Sequence, residues 1–201
     1  GAILKEEDEN NTSFSVRAQK NREEKNKIAQ EAIRYVEEKQ CILLDASSTA
    51  LELARLLKNS TLRLTVVTTG VLTALELKDN TNLTVILVGG VLTNKSTSIE
   101  GTLGLDILNH VNIDLMFTSG NGFSFENGLT DFNFYEVELK KQLVKQARKL
   151  IALVDSSKIE VNSSSAFAKI NQIDILITDE SLSKQLTEKF SQSNIQLIIA
   201  N

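Results

Sequence analysis

Residues 41–57 read CILLDASSTALELARLL. The first four are apolar without alternation, the next five are small or polar, and Leu51, Leu53, Ala54 and Leu57 then recur at helical spacing. A strand apolar on both faces that passes through a short polar turn into a helix is half of a strand–helix–strand unit, covered by helices on both sides. The pattern repeats outward from this stretch. Further apolar runs at 64–69, 83–89, 113–119, 150–155, 173–179 and 195–200 bring the expected strands to seven. Helical spacing is expected at 71–77, 103–108, 135–147 and 182–190, and one amphipathic helix upstream, at 17–40. The fold class is therefore α/β, an open and mostly parallel sheet with helices on both faces.

Composition narrows the function classes. The 201 residues suffice for one generous domain with a sizeable core. Lys plus Arg at 22 against Asp plus Glu at 26 gives a formal charge of −4, so no basic surplus is available for a phosphate backbone. One Cys and one His cannot assemble a thiolate–imidazole zinc site or an internal disulfide, and no apolar run is long enough to span a membrane. No metal or cofactor is implied, and a reduced, cytoplasmic setting is expected. The chain opens on Gly1, and KEEDENNTS (residues 5–13) lacks periodicity. Residues 1–16 are expected to be a connector to something upstream, with the domain proper at 17–201.

Ligands of open α/β sheets bind beyond the carboxyl ends of the strands, and the residues there are small and polar. Asp45 leads into Ser47, Ser48 and Thr49 at a helix start, where free N–H groups suit a phosphate and where plain N-capping would use the same residues. Thr68 and Thr69 end the second strand; Gly89 and Gly90 end the third. After the fourth come Gly120, Asn121, Gly122, Gly128 and Thr130, either a ligand loop or a long turn. No G-x-G-x-x-G or G-x-x-x-x-G-K-[ST] motif is present. Glu136 and Lys140 share a helix face, as a surface ion pair would, and Lys158 follows the fifth strand. His110 reads as a helix-end residue and Cys41 as a packed thiol.

Five segments in order, LLDASSTALELARLL, LTVVTTGVLTALEL, VILVGGVLTNKSTSIEG, NGLTDFNFYEVELKK and IALVDSSKI, resemble the effector-binding region of DeoR-type bacterial transcriptional regulators. The resemblance runs from about Phe14 to Asp179. It implies a fold similar to ribose phosphate isomerase and the CoA transferase group, and a sensor that binds a phosphorylated sugar and alters the regulator's hold on operator DNA. DNA would be contacted through a winged helix-turn-helix domain absent from this chain, and the sensor would assemble as a homo-oligomer.

Carried over by position, Ser47, Ser48 and Thr49 resemble the phosphate loop with Asp45 at its base. Thr68, Thr69, Gly89, Gly90, Gly120, Asn121, Gly122, Gly128 and Thr130 would line the sugar. Glu136, Lys140 and Lys158 would supply charged contacts, with Lys158 on the phosphate. The family often has Gly at the position of Ser47, Asn at that of Thr69, and Arg near Asn94 and Lys95. A phosphosugar isomerase or deaminase on the same fold is the competing expectation. The acid–base pair it needs is not evident in SGNGFSFENG (residues 119–128), where Glu126 is the only carboxylate. A purely structural dimerisation module is the third.

Overall fold

The computed structural model describes residues 14–93 and 96–200. Most of the connector expected at 1–16 lies outside the described residues, as do Asn94 and Lys95. Helices α1 (Phe14–Gln19) and α2 (Arg22–Ala32) lead into β1 (Cys41–Leu44), α3 (Ser48–Leu57), β2 (Leu64–Thr68), α4 (Val71–Leu77) and β3 (Leu83–Leu87). A 3₁₀ helix (Leu105–His110) precedes β4 (Ile113–Thr118), and two short strands follow, β5 (Gly122–Ser124) and β6 (Gly128–Asp131). Then come α5 (Phe134–Gln146), β7 (Ala147–Leu153), β8 (Ser165–Ala168), β9 (Ile175–Thr178), α6 (Lys184–Ser191) and β10 (Gln196–Ile199).

Seven strands make one parallel sheet in the order β10-β9-β7-β4-β1-β2-β3. The chain runs outward from β1 to the β3 edge and then returns to the other flank of β1 with β4. The strand order therefore reverses between β1 and β4, which is where open α/β sheets leave a crevice at their carboxyl ends.

Both sheet faces are buried, as the non-alternating strands require. Ile42 and Leu44 of β1 pack with Phe117, Ile151 and Ile177 against Ile28, Ala32, Leu53 and Leu57 of α2 and α3. Leu43, Met116, Leu150 and Leu176 turn to the opposite layer and meet Val137 and Leu143 of α5. Neighbouring residues of one strand thus serve two cores, the signature that period-2 geometry leaves in a doubly covered sheet.

Three expectations change. The single helix at 17–40 is broken at Asn21, which sits in the left-handed region (φ 52°, ψ 42°) and turns α1 into α2. Asn is the side chain that best tolerates this conformation after Gly, because its short amide finds local hydrogen bonds. Helix α1 also begins at Phe14, ahead of the boundary placed at Arg17. The α-helix expected at 103–108 is the 3₁₀ helix. Finally, the Gly-rich segment after β4 forms a hairpin, β5 and β6, which β8 extends into a three-stranded antiparallel sheet. Gly128 is required there: its φ is +71° and a Cβ would lie 2.1 Å from the carbonyl oxygen of Ala168.

Candidate ligand site at the carboxyl edge of the sheet

The centre of the crevice is an ion cluster. Asp45 leaves β1 fully buried; its Oδ1 accepts from the N–H of Ser47, and its Oδ2 accepts from Thr118 Oγ1 (2.6 Å) and the N–H of Ser119 (3.1 Å). Lys140 reaches in from α5, with Nζ 3.3 Å from Asp45 Oδ2 and 2.9 Å from Asp131 Oδ2, and donates to the carbonyl of Ser119. It also lies 4.8 Å from the centre of the Phe167 ring. Burial works against this ammonium, yet Asp131 and Asp45 outweigh it and raise its pKa. Burial likewise opposes ionisation of Asp131, but the charge and hydrogen bond of Lys140 hold its carboxyl below the usual range. Lys140 is thus held within the protein by Asp131, Asp45 and the Ser119 carbonyl, and its bonded partners do not include the Glu136 that shares its helix face.

Helix α5 aims these groups because Asn133 caps it, accepting from the N–H groups of Tyr135 and Glu136. Asn133 also donates to Glu100, tying the cap to the segment that follows β3. Glu136, in the first turn, is half-buried; burial, with Asp131 and Asp45 nearby, raises its pKa despite Lys140 and Arg17. On the other wall, Asn121 donates its N–H to the carbonyl of Thr130 and its side-chain amide to Asp131. Thr130 accepts from the N–H of Ser163 and donates to the carbonyl of Gly122, so its hydroxyl is committed within the small sheet.

Ser47, Ser48 and Thr49 open α3 where the sequence places them. Ser47 is the N-cap, accepting from the N–H of Ala50, and all three are buried. Among the described residues, the buried hydroxyls of Thr49 and of Ser119 have no hydrogen-bond partner. Thr68 spends its hydroxyl on the N–H of Gly70. Thr69 lies under the segment after β3, accepting from the N–H of Ile99 through its carbonyl, while Gly70 pairs with Ser98. Gly104 packs on Gly89 so closely that a Cβ would lie 2.1 Å from the Gly89 carbonyl oxygen, and Gly90 abuts Ile99 and Glu100. Thr68 and Thr69 are thus buried beneath this segment, whereas Gly89 and Gly90 are exposed at the end of β3. Gly120 and Gly122 abut the carbonyls of Thr130 and Val161 and serve the hairpin.

The open part of the edge lies on the β7 side. A cleft of about 240 Å³ separates the α1–α2 elbow from the turn after β7. Arg17, Lys20, Asn21 and Lys25 line it from the elbow, and Asp155, Ser157 and Lys158 from the turn, with Asn121 and Phe132 at the hairpin end. Four cations therefore meet one carboxylate. Asp155 is itself occupied: Asn21 and Ser157 donate to it, and Lys158 Nζ lies 3.3 Å away. Those groups overcome the burial that opposes its ionisation and lower its pKa. Burial, and then the like charge of Lys158, lower the pKa of Lys25 to about 8 against the pull of Asp155. The structure brings Lys158 and Asn121 together in this cleft. None of Ser47, Ser48, Thr49, Thr68, Thr69, Gly89 and Gly90 lines it.

Residues 20–180 match the DeoR C-terminal sensor domain. The chain belongs to that family. The sensor domain is 47% identical to the HTH-type transcriptional regulator GolR of Listeria innocua, over all of this chain and 78% of the relative. It is 29% identical to the HTH-type transcriptional repressor GlcR of Bacillus subtilis, over 99% of this chain and 76% of that one. Its fold is shared by ribose 5-phosphate isomerase A of Methanocaldococcus jannaschii (TM-score 0.53, 19% identity, 69% of this chain and 55% of that one). It is shared equally by eIF2B beta of Chaetomium thermophilum (TM-score 0.54, 12% identity, 77% and 48%). One fold thus serves both ribose 5-phosphate isomerase and eIF2B beta, so function has to be argued from the site. Among the described residues no helix is long and apolar enough to cross a membrane.

Sequence reading missed Arg17, Lys20, Asn21 and Lys25. In an amphipathic helix such residues look like a solvated face, and only the elbow at Asn21 turns them toward the sheet.

Proposed function

We propose that this sensor domain binds a phosphorylated sugar across the carboxyl edge of its sheet and so controls how a transcriptional regulator of carbohydrate genes holds its operator. The cleft of four cations around one committed carboxylate carries the reading. Its ammonium and guanidinium groups suit a phosphate dianion, which Lys meets as a point charge and Arg as a fork. Lys158 and Lys25 take the phosphate. The sugar extends toward Asn121, Glu136 and the unpartnered hydroxyls of Ser119 and Thr49, groups able to exchange hydrogen bonds with sugar hydroxyls.

The DNA-binding part lies outside this chain, toward its first residue. The sensor acts in the cytoplasm as part of a symmetric homo-oligomer, as dyad-related operators favour. Lys140 is already shared between Asp45 and Asp131, which supports recognition without turnover.

Calorimetric titration with sugar phosphates, with the unphosphorylated sugars as controls, tests this. Phosphate-dependent binding that Lys158→Ala weakens, with the ligand recovered unchanged, is the expected result. Equal affinity for sugar and sugar phosphate would defeat it, and consumption of the ligand would favour an isomerase.

A further inference from the structure

The Lys25 side chain fastens the end of helix α1 to α2. Nζ of Lys25 donates to the carbonyls of Arg17 and Lys20, oxygens at the end of α1 that lack intrahelical donors. An ammonium has three N–H donors, and Lys25 also lines the cleft, so the third is available to a ligand there. Asn21, at the elbow, donates through Nδ2 to Asp155 Oδ1 and Ser157 Oγ, both at 3.1 Å, which pins the elbow to the turn after β7. Both of these hydrogen bonds border the cleft.

The charges across the cleft oppose that closure. Arg17, Lys20 and Lys25 on the elbow face Lys158 on the sheet side, and among the described residues Asp155 is the one carboxylate lining the gap. Glu52, the other carboxylate acting on Lys25, is engaged by Arg22 and Arg55. A dianion between the two walls removes the repulsion and contacts both of them.

We infer that an anion in this cleft clamps the α1–α2 elbow to the sheet, so that occupancy of the site and the docking of α1 are thermodynamically coupled through Lys25. The inference rests on the site proposed above and adds the direction of the effect. Binding orders α1, and by linkage anything that undocks α1 weakens binding by the same factor.

Amide hydrogen exchange over residues 14–25, measured on the whole chain at saturation with inorganic phosphate and with ribose 5-phosphate as probes, tests the coupling. Binding is followed in parallel by calorimetry. Exchange in α1 is expected to slow at least tenfold on saturation. Lys158→Ala, which removes the cross-cleft repulsion together with the cation of the sheet wall, should weaken binding and diminish the slowing. Lys25→Met should lose the slowing while Lys25→Arg keeps it. If Lys25→Met does not fold, Asn21→Ala, which removes the pin to Asp155 and Ser157, is expected to diminish the slowing instead. Probe binding with unchanged exchange at 14–25, or slowing that survives Lys25→Met, overturns the coupling and leaves the site standing. Absence of binding by either probe overturns both.

Discussion

Two lysine clusters stand on the same edge of the same sheet and differ in their balance. Around Lys140 one ammonium hydrogen-bonds a buried carboxylate and a carbonyl and pairs with a second buried carboxylate. In the cleft four cations face one carboxylate that is already hydrogen-bonded. The first is a finished structural element that closes the seam between β1, β4 and α5. The second is an unfinished one, which the anion proposed above would complete. A charged side chain at a sheet edge therefore says little until its partners are counted.

Breaking the finished cluster should have the largest effect. Lys140→Met leaves Asp45 and Asp131 buried without a counter-charge, and a loss of about 3–5 kcal/mol is expected, read by denaturant unfolding. A loss below about 1 kcal/mol would mean that the cluster does not hold β1, β4 and α5 together. In the unfinished cluster the order reverses, with function more sensitive than stability. Lys158→Ala is expected to weaken sugar phosphate binding by about 10–100-fold, the worth of one charge-assisted hydrogen bond, and to change stability by only about 1 kcal/mol.

The contrast sharpens with pH. Lys25 has its pKa lowered to about 8 first by burial and then by Lys158 and Arg17, against Asp155 and Glu52, which raise it. A bound phosphate also raises it, so above pH 8 the free site must take up a proton to bind. Affinity is then expected to fall by up to tenfold per pH unit, and Lys25→Met to flatten that slope in calorimetric titrations. Without ligand the sign for folding is opposite. The unfolded chain holds the Lys25 proton up to its ordinary value of 10.5, so between about pH 8 and 10.5 this residue contributes stability that rises with pH. The smallest effect is expected at Asn133→Ala, which removes the cap of the helix carrying Lys140 and should cost about 1 kcal/mol in thermal unfolding.

The doubly covered strands were readable because burial on both faces leaves a run with no alternation, and CILLD led directly to Asp45 at the switch point. Lys158 was readable because it follows a strand end. The partners of Lys140 were not. Glu136 is its helical neighbour, but Asp131 and Asp45 come from other elements, and only tertiary packing sets a lysine between them. The small antiparallel sheet escaped notice because its strands are three or four residues long and rich in Gly and Ser, so that turn and strand composition coincide. The cleft was hidden for another reason: half of it hangs on the left-handed conformation of Asn21, which composition does not announce.

The reversal of strand order at β1 also bears on how the chain reaches its native state. Residues 41–87 contain two successive strand–helix–strand units whose pairings, β1 with β2 and β2 with β3, are between neighbours in the chain. The pairing of β1 with β4 joins segments separated by the whole of α3 to β3 and the 3₁₀ helix. Loop closure makes the former cheap in entropy and the latter slow. The folding nucleus is therefore expected in 41–87, with the β1–β4 seam forming later. Large-to-small substitutions at Val66 should slow refolding, whereas those at Met116 should mainly speed unfolding.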